Sequence, residues 1–415
     1  GPGKAGRRWD GKELTGAAER GLSGSAAACA AIGGEVRMVK CQVVMDAMER
    51  IAPRRLAEDW DNPGLLLGSP AQEVSRIFVC LDVDEAAVDA AVRQGADMIV
   101  SHHPLIFRAM KQLRTDLPLG RLLQRLMEHH IAVYAAHTNL DIAVGGVNDV
   151  LAGLLGLQAL GPLSVTAEEE LIKLAVYVPE EYAERVRTAI TEAGAGCIGR
   201  YSCCTFRVAG EGTFLPAEGT RPFIGEPGRL ERVAEVRIET ILPAAMEKRV
   251  VRAMLRAHPY EEAAYDLYPL KNKGEISSLG RIGLLPETVD VQSFAQTVCA
   301  ALPASHVRLV AAGDRKVKKV ALCSGSGAEF ISRAAFLGAD VYVTGDVKYH
   351  DAQQAIAKGM HVIDAGHFAT EYPVVPVLAR RLAAELEGVR GDIAVACDTQ
   401  ARDVFSVVNA PRQKS

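Results

Sequence analysis

The sequence predicts an α/β fold in which two pseudo-symmetric α/β halves form one core, and a ferredoxin-like α+β insert interrupts that core. The first observation is an internal repeat. Residues 131–141 (IAVYAAHTNLD) and 361–371 (HVIDAGHFATE) each run from an apolar stretch to a histidine and then to a carboxylate four positions later. Residues 95–103 (GADMIVSHH) likewise resemble residues 338–346 (GADVYVTGD). The second observation is that predicted strands alternate with predicted helices on both sides of a middle segment with a different pattern.

The composition narrows the classes of protein that fit. The 415 residues include 49% hydrophobic and 24% charged residues, which is ordinary for a globular protein of two or three domains. The net charge of −4 gives no basic surplus and argues against a nucleic-acid partner. No uninterrupted apolar stretch of about 18 residues occurs, so no membrane-spanning helix is predicted. The nine scattered cysteines indicate reduced thiols in a cytoplasmic protein.

The first half of the core is predicted to span residues 38–165, after a disordered N-terminal extension of residues 1–37. Hydrophobic periodicity predicts helices at 43–51, 84–94 and 119–130. Short apolar runs predict strands at 77–81, 97–100 and 131–135.

The predicted insert spans residues 166–275, where two strand–helix units repeat. Strands are predicted at 171–178, 201–206, 235–242 and 264–268, helices at 180–193 and 244–257, and a loop at 210–228. Prolines 179 and 243 stand where each helix begins, a favoured position because proline has no N–H to leave unpaired. The second half of the core is predicted to span 276–406, with strands at 319–323 and 341–344, a turn at 324–327 and a helix at 329–338. A tail (407–415) follows.

Histidines and carboxylates are predicted to meet at one edge of this core. His102 and His103 follow a strand, and adjacent side chains of extended backbone point in different directions. Asp141, His367 and Glu371 follow other strands, and ligand sites of α/β sheets lie at the carboxyl ends of strands. Glu371 follows Thr370, a candidate N-cap, which places its carboxylate at a helix N-terminus. Such a set suits Zn, Mn, Fe, Co or Ni, and five ligands are enough for two divalent metal ions that activate water.

Other residues carry two interpretations each. His137 matches His367 in the repeat and is either a proton-transferring catalytic residue or a structural histidine. His350 is a further polar residue close to a strand end, and it either has a functional role or has none. Residues 324–327 (SGSG) fit a tight turn better than a phosphate-binding loop. The cysteines at 197, 203 and 204 could meet His258 in a soft-metal site, but buried inert thiols are the preferred interpretation.

These motifs resemble the GTP cyclohydrolase I type 2 homologue family, also called Ngg-interacting-factor-like proteins, over roughly residues 40–405. The resemblance rests on residues 57–62 (AEDWDN), 101–107 (SHHPLIF), 137–141 (HTNLD), 345–352 (GDVKYHDA) and 366–371 (GHFATE). It implies a dinuclear metal centre in which His103 and Asp141 serve one ion, His102 and His367 serve the other, and Glu371 bridges both. Residues 201–206 and 257–262 make the insert similar to a PII-like (CutA-like) domain. The resemblance also implies a homohexamer.

Two functional hypotheses follow. In the first, the protein is a metal-dependent hydrolase in which two ions activate water for attack on a small-molecule, nucleotide-type substrate, with His137 moving protons. The resemblance nominates GTP ring opening, and phosphoester hydrolysis would use the same metals. In the second, the protein is a non-catalytic metal-binding or regulatory protein whose PII-like insert senses a ligand.

Overall fold

The computed structural model describes residues 38–389 and 391–408. The predicted disordered extension (1–37) and all but the first two residues of the predicted tail (407–415) lie outside the described residues. The chain divides into two compact units, one formed by the insert (residues 167–276) and one formed by the remaining described residues, here called the core. No helix among the described residues is long and apolar enough to cross a membrane.

The described strands are, in chain order, β1 (Val39–Lys40), β2 (Gly64–Leu67), β3 (Glu73–Val74), β4 (Arg76–Cys80), β5 (Met98–Ser101), β6 (Ala132–Ala135), β7 (Gln158–Pro179), β8 (Thr205–Phe214), β9 (Glu231–Pro243), β10 (Tyr265–Val289), β11 (Arg308–Val310), β12 (Val317–Ser326), β13 (Val341–Gly345), β14 (His361–Asp364) and β15 (Ala394–Cys397).

The described α-helices are α1 (Cys41–Ile51), α2 (Glu85–Arg93), α3 (Pro118–Glu128), α4 (Thr138–Ile142), α5 (Val147–Leu154), α6 (Ala183–Glu192), α7 (Glu247–Ala257), α8 (Val291–Ala301), α9 (Ile331–Phe336), α10 (Tyr349–Ala357), α11 (His367–Glu371) and α12 (Val374–Leu386). Single 3-10 turns precede several of them, including α6, α7 and α9.

The two halves of the core contain sheets with the same arrangement. In the first half the strand order is β15-β4-β5-β6-β2, with β4, β5 and β6 parallel and β2 antiparallel to β6. In the second half β12, β13 and β14 are parallel, and β11 is antiparallel to β14. The registers also match, since Ile77 pairs with Met98 and Val320 pairs with Val341. The predicted pair of similar α/β halves is therefore confirmed.

The central strands of both sheets are apolar up to their last one or two residues because both of their faces are covered. In β5, all four side chains are buried; Met98 and Val100 pack into one apolar cluster, and Ile99 packs into another on the opposite face. In β13, Val341 and Val343 likewise face one cluster while Tyr342 faces another. Strands that are buried on both faces do not alternate between apolar and polar residues. The first polar residues after these strands therefore mark where the sheet ends.

The insert has the β-α-β-β-α-β order of a ferredoxin-like unit, with strand order β10-β7-β9-β8. The helices α6 and α7 bury Val186, Ile190, Val250 and Met254 against the sheet in an apolar cluster of its own. The strand predicted at 201–206 was misplaced, because β8 spans Thr205–Phe214 and enters the predicted loop. Strand β8 pairs with β9 along all ten residues, so backbone pairing overrides its weak apolar pattern.

Candidate metal centre

The strand ends of both halves deliver the predicted site residues to one place. His102 and His103 directly follow β5, and Asp141 lies in the short helix α4 that follows β6. His367 and Glu371 are the first and last residues of α11, which follows β14. These are carboxyl ends of parallel strands, the edge at which α/β sheets place their ligand sites. The structure therefore brings together all five residues that the sequence nominated as metal ligands.

Glu371 lies at the middle of the cluster, and its two carboxylate oxygens face different neighbours. Its Oε1 atom is 3.8 Å from His102 Nε2, which is also 3.8 Å from Asp141 Oδ1. Its Oε2 atom is 3.0 Å from His103 Nε2 and 3.1 Å from His367 Nε2. Two triads of close donor atoms result, His102–Asp141–Glu371 and His103–His367–Glu371. These triads cut across the ion-by-ion pairing that the resemblance implies, and that pairing stays a prediction.

Three histidines are held through Nδ1, which leaves Nε2 facing the cluster. His103 Nδ1 lies 2.7 Å from Asp82 Oδ1, and His367 Nδ1 lies 2.8 Å from Asp346 Oδ2. A carboxylate that accepts the Nδ1 proton leaves the Nε2 lone pair free, as in histidines that ligate metals. His102 Nδ1 makes the corresponding contact to a backbone carbonyl, at 2.9 Å from the oxygen of Ala136.

The donor set fits a divalent metal ion. Among the described residues, the buried atom His102 Nε2 has no hydrogen-bond partner, and Glu371 Oε2 has only the Nε2 atoms of His103 and His367 close to it. An unsatisfied buried polar atom is costly, and an electron-pair acceptor between these atoms would satisfy it. The chain also keeps space beside the cluster. Gly325 has φ of +60°, and a Cβ built on it would lie 2.2 Å from Glu371 Oε1.

Burial and opposite charges shift the pKa values of the cluster strongly. Burial alone would raise the pKa of Glu371, but contacts with His102, His103 and His367 hold it well below the usual range. Burial lowers the pKa of His103, yet Asp82 and Glu371 outweigh that effect and raise it to about 10. Glu371 is the main cause that raises the pKa of His367 to about 9. The protein thus holds protons where metal ions would compete for the same lone pairs.

His137 lies at the rim of the cluster and is held by Asp61. Its Nδ1 atom is 2.8 Å from Asp61 Oδ1, and the other oxygen of Asp61 accepts from the backbone N–H and hydroxyl of Thr138. Burial would raise the pKa of Asp61, but its hydrogen bonds with His137 and Thr138 lower it to about 2. A ring nitrogen of His137 lies within 4.8 Å of donor atoms of His102 and His103. His137 is therefore close enough to exchange a proton with a molecule in the site.

The local setting of Glu371 differs from the prediction. Glu371 ends the five-residue helix α11, and the following helix α12 begins at Val374 after Pro373. The Thr370 hydroxyl does not cap a helix N-terminus; it donates back towards the carbonyls of Gly366 and His367 and accepts from the N–H of Gly325. Imidazole neighbours, rather than a helix N-terminus, therefore stabilise the carboxylate.

The glycine-rich segment 324–327 is also different from its prediction. Strand β12 continues to Ser326, so the predicted turn is mostly strand. The backbone N–H groups of Ser324, Gly325 and Gly327 donate to Asn148, Thr370 and Thr344 respectively. Because these donors are already used, the segment positions the strand end beside Glu371 and does not form a phosphate cradle.

Two of the weaker candidates are not brought into a site. His350 is exposed on α10, and its Nδ1 contacts Gln353. Both ring nitrogens of His258 are engaged, with the oxygen of Tyr177 and the N–H of Tyr260. Cys197 and Cys203 are exposed rather than buried, so the preferred interpretation of these thiols was wrong in that respect.

Sequence reasoning did not single out the carboxylates that hold the histidines. Asp82 follows the end of β4, and Asp346 follows the end of β13 at the position that the repeat aligns with His103. Asp61 belongs to the loop before β2, far from His137 in sequence. The available signal was an acidic residue at a strand end beside a candidate ligand, and it applied to Asp82 and Asp346 only.

The fold and the site define an α/β protein in which two similar halves surround a histidine–carboxylate cluster able to bind a metal ion. The chain belongs to the Duf34/NIF3 (NGG1p interacting factor 3) family, whose profile matches residues 39–402. It is 46% identical over 333 residues to a Bacillus subtilis protein named GTP cyclohydrolase 1 type 2 homolog, covering 80% of this chain and 89% of that protein. A protein of the same name from Halalkalibacterium halodurans is 45% identical over 332 residues, with the same coverage of both chains.

Solved structures agree with this assignment. A Bacillus cereus protein described as related to NIF3 matches with a TM-score of 0.83 at 43% identity, covering 89% of this chain and 99% of that chain. Staphylococcus aureus protein SA1388 matches with a TM-score of 0.72 at 29% identity, with the same coverage. The predicted family membership is thus confirmed.

Proposed function

We propose that the cluster holds two divalent metal ions bridged by Glu371, and that the protein is a metal-dependent hydrolase. The observation that carries the proposal is the position of the Glu371 carboxylate. Its two oxygens belong to two donor triads, and the three surrounding imidazoles present Nε2 towards it. A buried carboxylate (4% exposed) with imidazoles on both sides is the arrangement in which one residue can bridge two ions.

When bound, the ions would supply an activated water and polarise the substrate. Side chains of the protein would orient the ligand rings and transfer protons. Asp82, Asp346 and the carbonyl of Ala136 keep three ligand rings in one tautomer and one orientation. Asp61 does the same for His137, whose other ring nitrogen can then accept or donate a proton at the substrate.

The substrate that we propose is a small molecule of nucleotide type. The support is the name shared by the relatives from Bacillus subtilis and Halalkalibacterium halodurans, which refers to GTP cyclohydrolase. We also propose a homohexameric assembly, as the resemblance implies. Sedimentation of the purified chain tests the assembly independently of activity, and a monomer at micromolar concentration would contradict it.

The test compares the full chain with two matched variants, Glu371→Gln and Glu387→Gln. Both remove one carboxylate from the second half of the core, but Glu387 is exposed and follows the C-terminal end of α12, whereas Glu371 precedes its N-terminal end. We expect about two metal ions per chain in the wild type and in Glu387→Gln, and substoichiometric metal in Glu371→Gln. Metal content is measured by elemental analysis after dialysis.

Measurements of enzymatic activity distinguish a metal-dependent hydrolase from a non-catalytic metal-binding protein. Wild type, reconstituted with each candidate metal, is tested on GTP and on a panel of phosphoesters. We expect turnover that Glu371→Gln abolishes and that His137→Gln lowers by about 10²–10⁴-fold without loss of metal. Two bound ions with no turnover of any substrate would favour a metal-binding or regulatory role. Absence of stoichiometric metal would reject both.

A further inference from the structure

A cleft on the insert is lined by five cationic side chains and several alanines. It lies between helices α6 and α7 and has a volume of about 860 Å³. Arg185 lines it from α6, and Lys248, Arg249, Arg252 and Arg256 line it from α7. All five of these side chains are exposed. Glu192 is the carboxylate that lines the same cleft, so the lining carries a strong excess of positive charge.

These five cations have no ion-pair partner among the described residues, and unlike other unpaired basic residues of the insert, such as Arg207 on β8, they line one cleft together. Elsewhere in the insert, Arg187 pairs with Glu184, Lys173 with Glu239, and Arg232 with Glu211. Surface ion pairs form easily when an acidic neighbour is present. Five like charges left side by side repel one another, so the cleft is electrostatically suited to an anion with several charges.

The spacing of the cations along α7 indicates how long an anion the cleft can bind. Lys248, Arg252 and Arg256 are spaced four residues apart, so they share one face of α7 over about 12 Å. Ala189, Ala193 and Ala253 form the floor between the helices, and their small side chains leave the space open. Arginine guanidinium groups bind phosphate oxygens through two parallel hydrogen bonds. A short chain of phosphates fits this row.

A second cleft of about 530 Å³ shares Lys248, Arg252 and Arg256 with the first, so the row of cations borders both clefts. Its other lining is largely apolar and includes Leu255, which is 45% exposed, and Tyr265, which is 37% exposed. Glu247 lines it as well. An exposed tyrosine ring beside a row of cations can stack on an organic ring while the cations hold phosphates.

We propose that the α6–α7 cleft binds a small molecule that carries a chain of phosphates, with a nucleoside polyphosphate as the source that fits both clefts. The volumes match those of small-ligand sites. The cations are confined to a row of about 12 Å on one helix face, and the whole chain has a net charge of −4, which favours a short anion over a long nucleic acid. The site needs neither the metal centre nor hydrolase activity.

The experiment uses calorimetric titration of the full chain with ATP, GTP and inorganic tripolyphosphate at about 0.15 M salt. Variants are Arg252→Gln with Arg256→Gln, and the matched control Arg207→Gln, which removes an exposed arginine of the same insert from strand β8. We expect saturable binding that the double variant weakens by about tenfold or more per arginine and that the control leaves unchanged. Thermal unfolding confirms that each variant is folded.

The three ligands distinguish binding of a whole nucleotide from binding of the phosphate chain alone. Tighter binding of ATP or GTP than of tripolyphosphate supports a nucleotide, and loss of that difference in Tyr265→Ala supports stacking. Equal binding of all three supports recognition of the phosphate chain alone. The proposal is overturned if no probe binds saturably, if only a 20-residue RNA binds, or if Arg207→Gln weakens binding as much as the double variant. It is also overturned if Glu371→Gln abolishes binding, because the anion would then be at the metal centre.

Discussion

Replacing Gly325 by alanine is expected to remove metal from the centre without unfolding the protein. An ideal Cβ at this position would lie 2.2 Å from Glu371 Oε1 and 3.3 Å from His367 Nε2, whereas real Cβ contacts essentially never fall below 3.0 Å. The N–H of Gly325 donates to Thr370 Oγ1 in α11, so the strand end is tied to the element that carries Glu371. Because Glu371 is buried, its carboxylate has little room to move aside.

The size of the effect follows from these distances. The Glu371 oxygen must move by at least about 0.8 Å to relieve the contact. Metal–oxygen distances tolerate deviations of about 0.2 Å, so a shift of about 0.8 Å would remove Glu371 as a ligand of the proposed metal centre. We therefore expect metal affinity to fall by at least about 100-fold, the upper end of what loss of a supporting contact costs.

The matched control is Gly359→Ala. Gly359 has φ of +66°, close to the +60° of Gly325, but a Cβ there meets nothing within 4 Å. Both variants should lose about 1–2 kcal/mol of stability from the left-handed backbone conformation, and Gly325→Ala should lose about 1–3 kcal/mol more from the contact with Glu371, both measured as decreases in Tm. Metal titration followed by elemental analysis separates them. The reasoning is refuted if Gly325→Ala binds metal as tightly as Gly359→Ala.

Three further outcomes are expected. Metal binding at pH 7.5 should release about one proton or more per chain and should weaken as pH falls, because the raised pKa of His103, about 10, keeps that ring protonated in the metal-free protein. Calorimetry in two buffers of different ionisation enthalpy measures the number of protons released. Equal heats of binding in the two buffers would contradict the prediction. Asp82→Asn should weaken metal binding by about 10–100-fold, whereas Asp116→Asn, an exposed control, should not. Arg281→Ala should lower the free energy of unfolding in urea by about 3–5 kcal/mol, because it removes the Arg281 Nε atom that lies 2.5 Å from Oδ1 of the partly buried Asp149. A decrease of less than about 1 kcal/mol would contradict the prediction.

The sequence was sufficient for the parts of the fold that are buried on both faces. The run that became β5 has no polar residue before Ser101, so His102 and His103 were predicted as strand-end residues by position alone. Parallel strands bring their carboxyl ends to one edge of a sheet, which predicts that His102, His103 and Asp141 lie together in one half and that His367 and Glu371 lie at the equivalent edge of the other; the meeting of the two edges is predicted by the pseudo-symmetry of the halves.

The parts that sequence missed depend on tertiary contacts. Strand β7 extends back to Gln158 through polar and charged residues because backbone pairing, rather than a local apolar pattern, keeps it extended. The partner of His137 is Asp61, which is 76 positions away in the chain. No local spacing rule connects two such residues. Glu371 was assigned to a helix start because Thr370 resembles an N-cap, but Thr370 and Glu371 are the last two residues of the short helix α11.

The two halves share their topology but carry different side chains at the aligned strand ends. Because of this difference, two similar halves form one cluster. At the aligned strand ends, His103 of the first half offers Nε2 to Glu371, whereas Asp346 of the second half holds His367. At the other aligned positions, His367 points its Nε2 at Glu371, whereas His137 stands at the rim and is held by Asp61. The second half thus has Gly345 and Asp346 where the first half has His102 and His103, and the first half has His137, outside both triads, where the second half has His367. An exact repeat would have placed two equivalent sets of donors at the edge; unequal substitution instead places both triads around the single carboxylate of Glu371.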